Sequence, residues 1–239
     1  MTFYLDTYIA HRGLHDEKKP ENTMAAFKAA IKHNYAIELD VHLSSDGHVV
    51  VFHDETLERL TGSNGKVSQY TLDSLKQLYI KETKEKIPTL KEVLDLVNGQ
   101  VPLIIELKVI EHNGELESEV MKLLQGYEGD YTIQSFNPFC LKWFRKHYPA
   151  VILGLLVTRD FSDTSLNPLK QKILENMTFI PVIRPDYIGL DIDTYSKLQL
   201  SIIKHFTFNN IVFWTVRTKE QMRTAKRLGA NIIFENIKP

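Results

Sequence analysis

Short apolar runs alternate with longer amphipathic stretches along the whole 239-residue chain, and this alternation narrows the possible folds more than any other feature. Strand-sized runs fall at Tyr8–Ala10, Ala36–Leu43, Val49–Phe52, Leu103–Lys108, Tyr131–Ser135, Val151–Val157, Tyr187–Leu190, Asn210–Val216 and Asn231–Phe234. Helical spacing separates most of them. Met24, Phe27 and Ile31 stand at i, i+3 and i+7, and Leu90, Val93, Leu94 and Val97 form one stripe. Leu116–Leu124, Phe139–His147, Leu169–Met177, Tyr195–Phe206 and Lys219–Leu228 read the same way. Asn22 reads as the N-cap of the first helix and Gly229 as the stop of the last. Near-continuous apolar strands between helices predict a parallel sheet covered by helices, the α/β class.

Nine strand candidates are one too many for an eight-stranded α/β barrel. The turn Ser44–His48 accounts for the excess, because parallel neighbours need a crossover of about a dozen residues while Asp46-Gly47 is a hairpin signal. Residues 36–53 are therefore expected to form a hairpin hung on the second barrel strand; a distorted barrel using both strands is the alternative. No internal repeat or linker interrupts the chain, so residues 1–239 read as a single domain of the size usual for such barrels. Residues 54–88 are the most polar and irregular stretch and read as a small insertion near the rim.

Charge and cysteine usage exclude several roles. The net charge is −1, from 29 basic and 30 acidic residues, which argues against nucleic-acid binding through a bulk positive field. Cys140 is the only cysteine, so neither an intramolecular disulfide nor a thiolate metal cluster can form. Met1–Ala10 lacks a basic segment followed by a long apolar run, and no apolar run approaches the ~20 residues of a membrane helix. A cytoplasmic protein without stable membrane insertion is expected.

Chemistry-bearing residues sit in or beside the apolar strands, where an unpaired charge is costly. Glu38 and Asp40 lie two apart and so share a strand face, with Ile37, Leu39 and Val41 on the other. Glu106 and Lys108 repeat the pattern, His11-Arg12 ends the first strand before Gly13, and His53-Asp54 ends the third. The hairpin sets His53 opposite the region of Glu38. Catalytic groups collect at the C-terminal strand ends of α/β barrels. Three carboxylates gathered there would repel one another, and a hard divalent cation, Mg²⁺ or Ca²⁺, would relieve them through an all-oxygen ligand set. Arg12 and Lys108 suit phosphate oxygens, and the two histidines suit acid–base work near neutral pH. The set as a whole fits displacement at a phosphodiester.

His11-Arg12-Gly13, Pro20-Glu21-Asn22-Thr23, Ala26-Phe27, Glu38-Leu39-Asp40-Val41, Asp46-Gly47 and Val51-Phe52-His53-Asp54 closely resemble the glycerophosphodiester phosphodiesterase family. Ile87-Pro88-Thr89-Leu90, Ile105-Glu106-Leu107-Lys108, Gln134-Ser135-Phe136 and Trp214-Thr215-Val216 are similar to its later motifs. The resemblance implies a TIM (β/α)8-type barrel and hydrolysis of a small glycerophosphodiester to sn-glycerol 3-phosphate and an alcohol, in glycerophospholipid and glycerol metabolism. It implies His11 and His53 as the acid–base pair and Glu38, Asp40 and Glu106 as ligands of Mg²⁺ or Ca²⁺. It further implies Arg12 and Lys108 on the phosphate, Glu21 in support, and Trp214 as a wall for the glycerol or head-group side. Attack by the vicinal hydroxyl through a cyclic phosphate is one possible first step. Arg217 stands where the family usually has asparagine, and Phe234-Glu235 replaces its usual Thr-Asp. Both departures bear on substrate preference.

Other readings predict other features. His42 shares the face of Glu38 and Asp40, and reads as projecting into the hairpin rather than as a fourth ligand. A hydrolase acting on lysophospholipids at a membrane would want an apolar rim, which the polar 54–88 segment does not clearly offer. A catalytically idle barrel would have lost a carboxylate or a histidine, and none of the five is missing.

Overall fold

The computed structural model describes residues 6–109, 113–162, 167–206 and 210–239. It comprises two compact units, Ile9–Tyr131 and Thr132–Pro239 together with residues 6–8. The first unit carries β1 (Ile9–Ala10), α1 (Met24–Lys32), β2 (Ala36–Leu43), β3 (Val49–Val51), α2 (Glu58–Thr61), α3 (Leu72–Leu75), α4 (Leu90–Val97), β4 (Leu103–Leu107) and α5 (Glu115–Leu124). The second carries β5 (Tyr131–Ser135), α6 (Pro138–His147), β6 (Leu153–Val157), α7 (Pro168–Glu175), α8 (Ile180–Ile183), β7 (Tyr187–Asp191), α9 (Lys197–Phe206), β8 (Ile211–Val216), α10 (Lys219–Arg227) and β9 (Asn231–Phe234).

β2 organises the first unit. Its Ile37–Val41 run pairs in parallel with β4, its start pairs in parallel with β1, and Val41–Leu43 pairs antiparallel with β3. β1 and β3 thus meet successive segments of β2, and the short turn after Leu43 makes the hairpin expected from Asp46-Gly47. In the second unit β5 to β9 pair in parallel in sequence order, with a register shift between Phe213 and Val216. Among the described residues this makes eight parallel strands, interleaved with helices, and one antiparallel strand, the order of a (β/α)8 barrel with a hairpin on its second strand. Buried strands read as apolar runs for a simple reason: with helices covering the sheet, both faces exclude water.

Two local features differ from expectation. Thr23, not Asn22, caps α1 by accepting a hydrogen bond from the Ala26 N–H. Asn22 is fully buried in the left-handed region at φ 55° and turns its amide elsewhere. The 54–88 insertion, polar in composition, has a core of its own: Leu57, Leu60, Val67, Leu75, Ile80 and Ile87 pack on Val50 and Phe52. Its apolar residues are too widely spaced for one helical or strand period to reveal them.

Two glycines are required by close approach. Gly13, at φ 79°, follows the His-Arg pair, and a Cβ there would lie 2.9 Å from the Ala26 backbone. At Gly154 a Cβ would strike the buried ring of Tyr187, whose hydroxyl bonds Thr132 and Gln134. Because Leu60 is 1 % exposed in the insertion's core, Leu60→Ala is expected to cost about 2–5 kcal/mol, read as a lower denaturant midpoint. A change within about 0.5 kcal/mol, the range of a neutral surface substitution, would show that the insertion does not contribute to cooperative folding.

Candidate active site

Cross-strand register assembles the carboxylates. Asp40 on β2 faces Glu106 on β4 as its parallel register partner, and Glu38 lies two residues before Asp40 on the same face. All three are at most 6 % exposed, and each offers an oxygen within 4.8 Å of those of the other two. Desolvation is the largest influence on each. Burial, then the charges of Asp40 and Glu106, pushes the Glu38 carboxyl well up. Burial likewise raises Glu106, against the pull of Lys108. Burial also acts to raise Asp40, but Lys108, His53 and Arg12 outweigh it and hold this carboxyl far below the usual range. Such a cluster is held together by the cations around it.

Those cations come from the neighbouring strand ends. Lys108 continues β4, donating its backbone N–H to the Val41 carbonyl, and its Nζ reaches Asp40 Oδ1 at 3.0 Å and also Glu106. The parallel register of β1 on β2, Ala10 with Ile37, places His11 level with Glu38. Arg12 follows in the left-handed region at φ 53°, donating its backbone N–H to Glu38 Oε2 at 2.9 Å. Its guanidinium lies 3.5 Å from Asp40 Oδ2 and donates to Glu21 Oε1 at 2.6 Å. A non-glycine residue at positive φ is uncommon, and here it aims both the amide and the side chain of Arg12 at the carboxylates.

His53 follows β3. Continuing the antiparallel register, Val41 with Val51, sets it level with Leu39, beside Glu38 and Asp40. Its Nδ1 is 2.7 Å from Asp54 Oδ1. His42 is buried with Nε2 3.1 Å from the His53 carbonyl, and burial lowers its imidazole to about 4. It thus donates to the backbone as a neutral ring and stays outside the carboxylate group.

The first unit therefore brings together Arg12, Glu21, Glu38, Asp40, His53, Glu106 and Lys108, with His11 at the end of β1. Trp214 belongs to the second unit, on β8, where its ring meets Phe136 edge-on at 5.3 Å. Arg217 and Glu235, the two departures from the family pattern, pair with each other at 3.1 Å in that unit. Sequence reasoning missed Asn22 and Arg59 as site residues. Asn22 Nδ2 donates to Asp40 Oδ2 at 2.8 Å, and Arg59 bonds both Glu21 and Asp54. Asn22 belongs to the Pro20–Thr23 motif, but its helix-start context suggests capping; Arg59 lies in the irregular insertion, where nothing local marks it.

The sequence model of the Glycerophosphoryl diester phosphodiesterase family matches residues 11–236. The chain belongs to this family. It is an enzyme of the phosphoric diester hydrolase class. A glycerophosphodiester phosphodiesterase of Caldanaerobacter subterraneus is 34 % identical, covering 95 % of this chain and 92 % of that one. One of Bacillus altitudinis is 30 % identical over the same shares. Among solved structures, an Oleispira antarctica phosphodiesterase in complex with the product sn-glycerol-3-phosphate superposes with a TM-score of 0.80, at 24 % identity over 95 % of this chain and 92 % of that one. The Thermotoga maritima glycerophosphodiester phosphodiesterase does so at 0.74, with 27 % identity over 95 % and 93 %. The fold is the TIM (β/α)8-type barrel of these relatives.

Glu21 yields a pH prediction. Burial would raise its carboxyl, but hydrogen bonds from Arg59 and the charge of Arg12 prevail and lower it from 4.5 to about 2. A folded value below the unfolded one stabilises fully above the unfolded value, and that contribution is lost as pH falls from about 4.5 through about 2. Glu21→Gln is therefore expected to flatten the stability profile in that window, checked by thermal unfolding at stepped pH. An unchanged profile would refute the ion-pair role.

Proposed function

We propose that this enzyme converts a glycerophosphodiester and water into sn-glycerol 3-phosphate and an alcohol, with Glu38, Asp40 and Glu106 holding one Mg²⁺ or Ca²⁺. The observation that carries the reading is the convergence of three buried carboxylates with Arg12 and Lys108 at the ends of β1, β2 and β4. The donor set fits the ion: all ligands are oxygens, as hard divalent cations require, and a bound cation would offset the burial and mutual repulsion that lift Glu38 and Glu106. The relatives' names and the product held by the Oleispira antarctica protein support the substrate class.

When bound, the divalent ion would supply Lewis-acid polarisation of a phosphoryl oxygen. Arg12 and Lys108 then grip the remaining oxygens, and their charges compensate the negative charge carried by those oxygens as the attacking group adds. His53, with Nδ1 held by Asp54, presents Nε2 for proton transfer, and His11 is the second imidazole of the pair. One takes the proton of the attacking hydroxyl as its oxygen bonds to phosphorus. The other protonates the departing alcohol oxygen as its bond to phosphorus breaks. The attacking hydroxyl is water's in a direct displacement, or the substrate's vicinal hydroxyl if a cyclic phosphate forms first and water opens it. Glu21 supports Arg12, and Trp214 walls the glycerol or head-group side. The protein works as one barrel domain in the cytoplasm on small molecules; the single uninterrupted family match and the lone cysteine support this. No helix among the described residues is long and apolar enough to cross a membrane.

Release of glycerol 3-phosphate from glycerophosphocholine and glycerophosphoethanolamine is the test. Activity is expected, abolished by thorough chelation and restored by Mg²⁺ or Ca²⁺, and its persistence after chelation would sink the ion's role. His11→Ala and His53→Ala are each expected to lower kcat by about 10²–10⁴-fold, the usual worth of acid–base help. Full activity in both would remove that assignment. A substrate analogue lacking the vicinal hydroxyl is turned over only by direct water attack, which separates the two routes.

A further inference from the structure

Arg59 lies on α2, the four-residue helix of the insertion, and is 46 % exposed, yet its guanidinium is committed to two carboxylates at once. Nε and Nη2 donate to Asp54 at 2.6 and 2.8 Å, while Nη1 and Nη2 donate to Glu21 at 2.9 and 2.8 Å. Each carboxylate is therefore held in a bidentate manner, using four of the five guanidinium N–H groups. Beyond Asp54 stands His53, bonded through Nδ1 at 2.7 Å. Beyond Glu21 stands Arg12, bonded through Nη1 at 2.6 Å. Next to Arg59 in the chain, Leu60 anchors α2 in the insertion's apolar core.

We propose that Arg59 is a positioning residue that sets the separation between the proton-transferring imidazole of His53 and the phosphate-binding guanidinium of Arg12, through one planar fork between Asp54 and Glu21. The proposal rests on the roles proposed for His53 and Arg12 in the hydrolysis. Chemistry supplies the reason for an arginine. Asp54 and Glu21 are both anions, so without a shared cation each would swing onto its own partner and the two site groups would lose a common reference. A lysine replaces the charge but not the fork, since its ammonium is a point donor on a flexible stem. A residue outside the reacting groups can matter this much because misplacement by about 1 Å costs roughly 10²-fold in rate. The polar insertion thereby gains a function of its own, since its core holds a side chain that spans the two halves of the reacting set.

The experiment measures kcat and KM for glycerophosphocholine in the protein loaded with Mg²⁺, comparing wild type, Arg59→Ala, Arg59→Lys, Asp54→Asn and the Arg59→Ala, Asp54→Asn double variant, with melting temperatures recorded for each. Wild-type turnover validates the underlying reading; if wild type is inactive, that reading fails and not this one. Arg59→Ala is expected to lose about 10–100-fold in kcat/KM, with kcat falling through His53 and KM rising through Arg12. Arg59→Lys is expected to remain impaired, and added methylguanidinium to restore part of the Arg59→Ala activity without moving its melting temperature. The Arg59→Ala, Asp54→Asn double variant should be less impaired than the product of the single losses, because both act on His53 by one route. Wild-type kcat and KM in Arg59→Ala, full activity in Arg59→Lys, or losses that follow the melting temperature without rescue would overturn the proposal. Should Arg59→Ala fail to fold, Arg59→Lys, which keeps the charge and the stem, decides the matter alone.

Discussion

Burying three carboxylates within 4.8 Å of one another is the constraint on which the rest of the first unit depends. Each anion removed from water carries a desolvation cost, and their repulsion adds to it. The protein offsets this with groups drawn from separate parts of the chain: Arg12 after β1, Lys108 after β4 and Asn22 before α1. Strand pairing then becomes electrostatics. The register that pairs Asp40 with Glu106 also decides which face of β2 carries charge and which carries Ile37, Leu39 and Val41. A slip of one residue would drive the carboxylates into the apolar layer, so charge and packing enforce the same register.

Around this cluster, positive and negative groups alternate outward from Asp40 through Arg12, Glu21 and Arg59 to Asp54, whose carboxylate meets the Nδ1 of His53. Each charged group between the two ends has an opposite neighbour on either side. That arrangement keeps Glu21 and Asp54 ionised despite partial burial. It also keeps their partners in one orientation, and orientation is what proton transfer and phosphate binding require of a static scaffold. The hairpin contributes likewise: His42, buried and neutral, holds the His53 carbonyl from the sheet side while Asp54 holds its ring.

Much of this is legible in the chain. Period-two spacing puts Glu38 and Asp40 on one face, turn length separates the hairpin β2–β3 from the parallel strands, and helical stripes locate α4 and α5 closely. Asn22 misleads because helix caps and site ligands use the same residue types; only its positive φ and burial show that Thr23 does the capping. The insertion's core escapes notice for a different reason. Its apolar residues come from short helices and turns that meet in space without any sequence period.

Local periodicity and the cost of burying charge are properties of the chain alone, and they suffice for the strand–helix order, the α/β class and the identity of the charged residues at strand ends. Which charges meet is a matter of three-dimensional packing. The Asp40–Glu106 pairing, the reach of Lys108 to both, the turn of Asn22 onto Asp40 and the double grip of Arg59 all depend on where separate elements come to rest. Electrostatic and hydrogen-bond energies depend on distances of a few ångströms, and no spacing along a sequence specifies those.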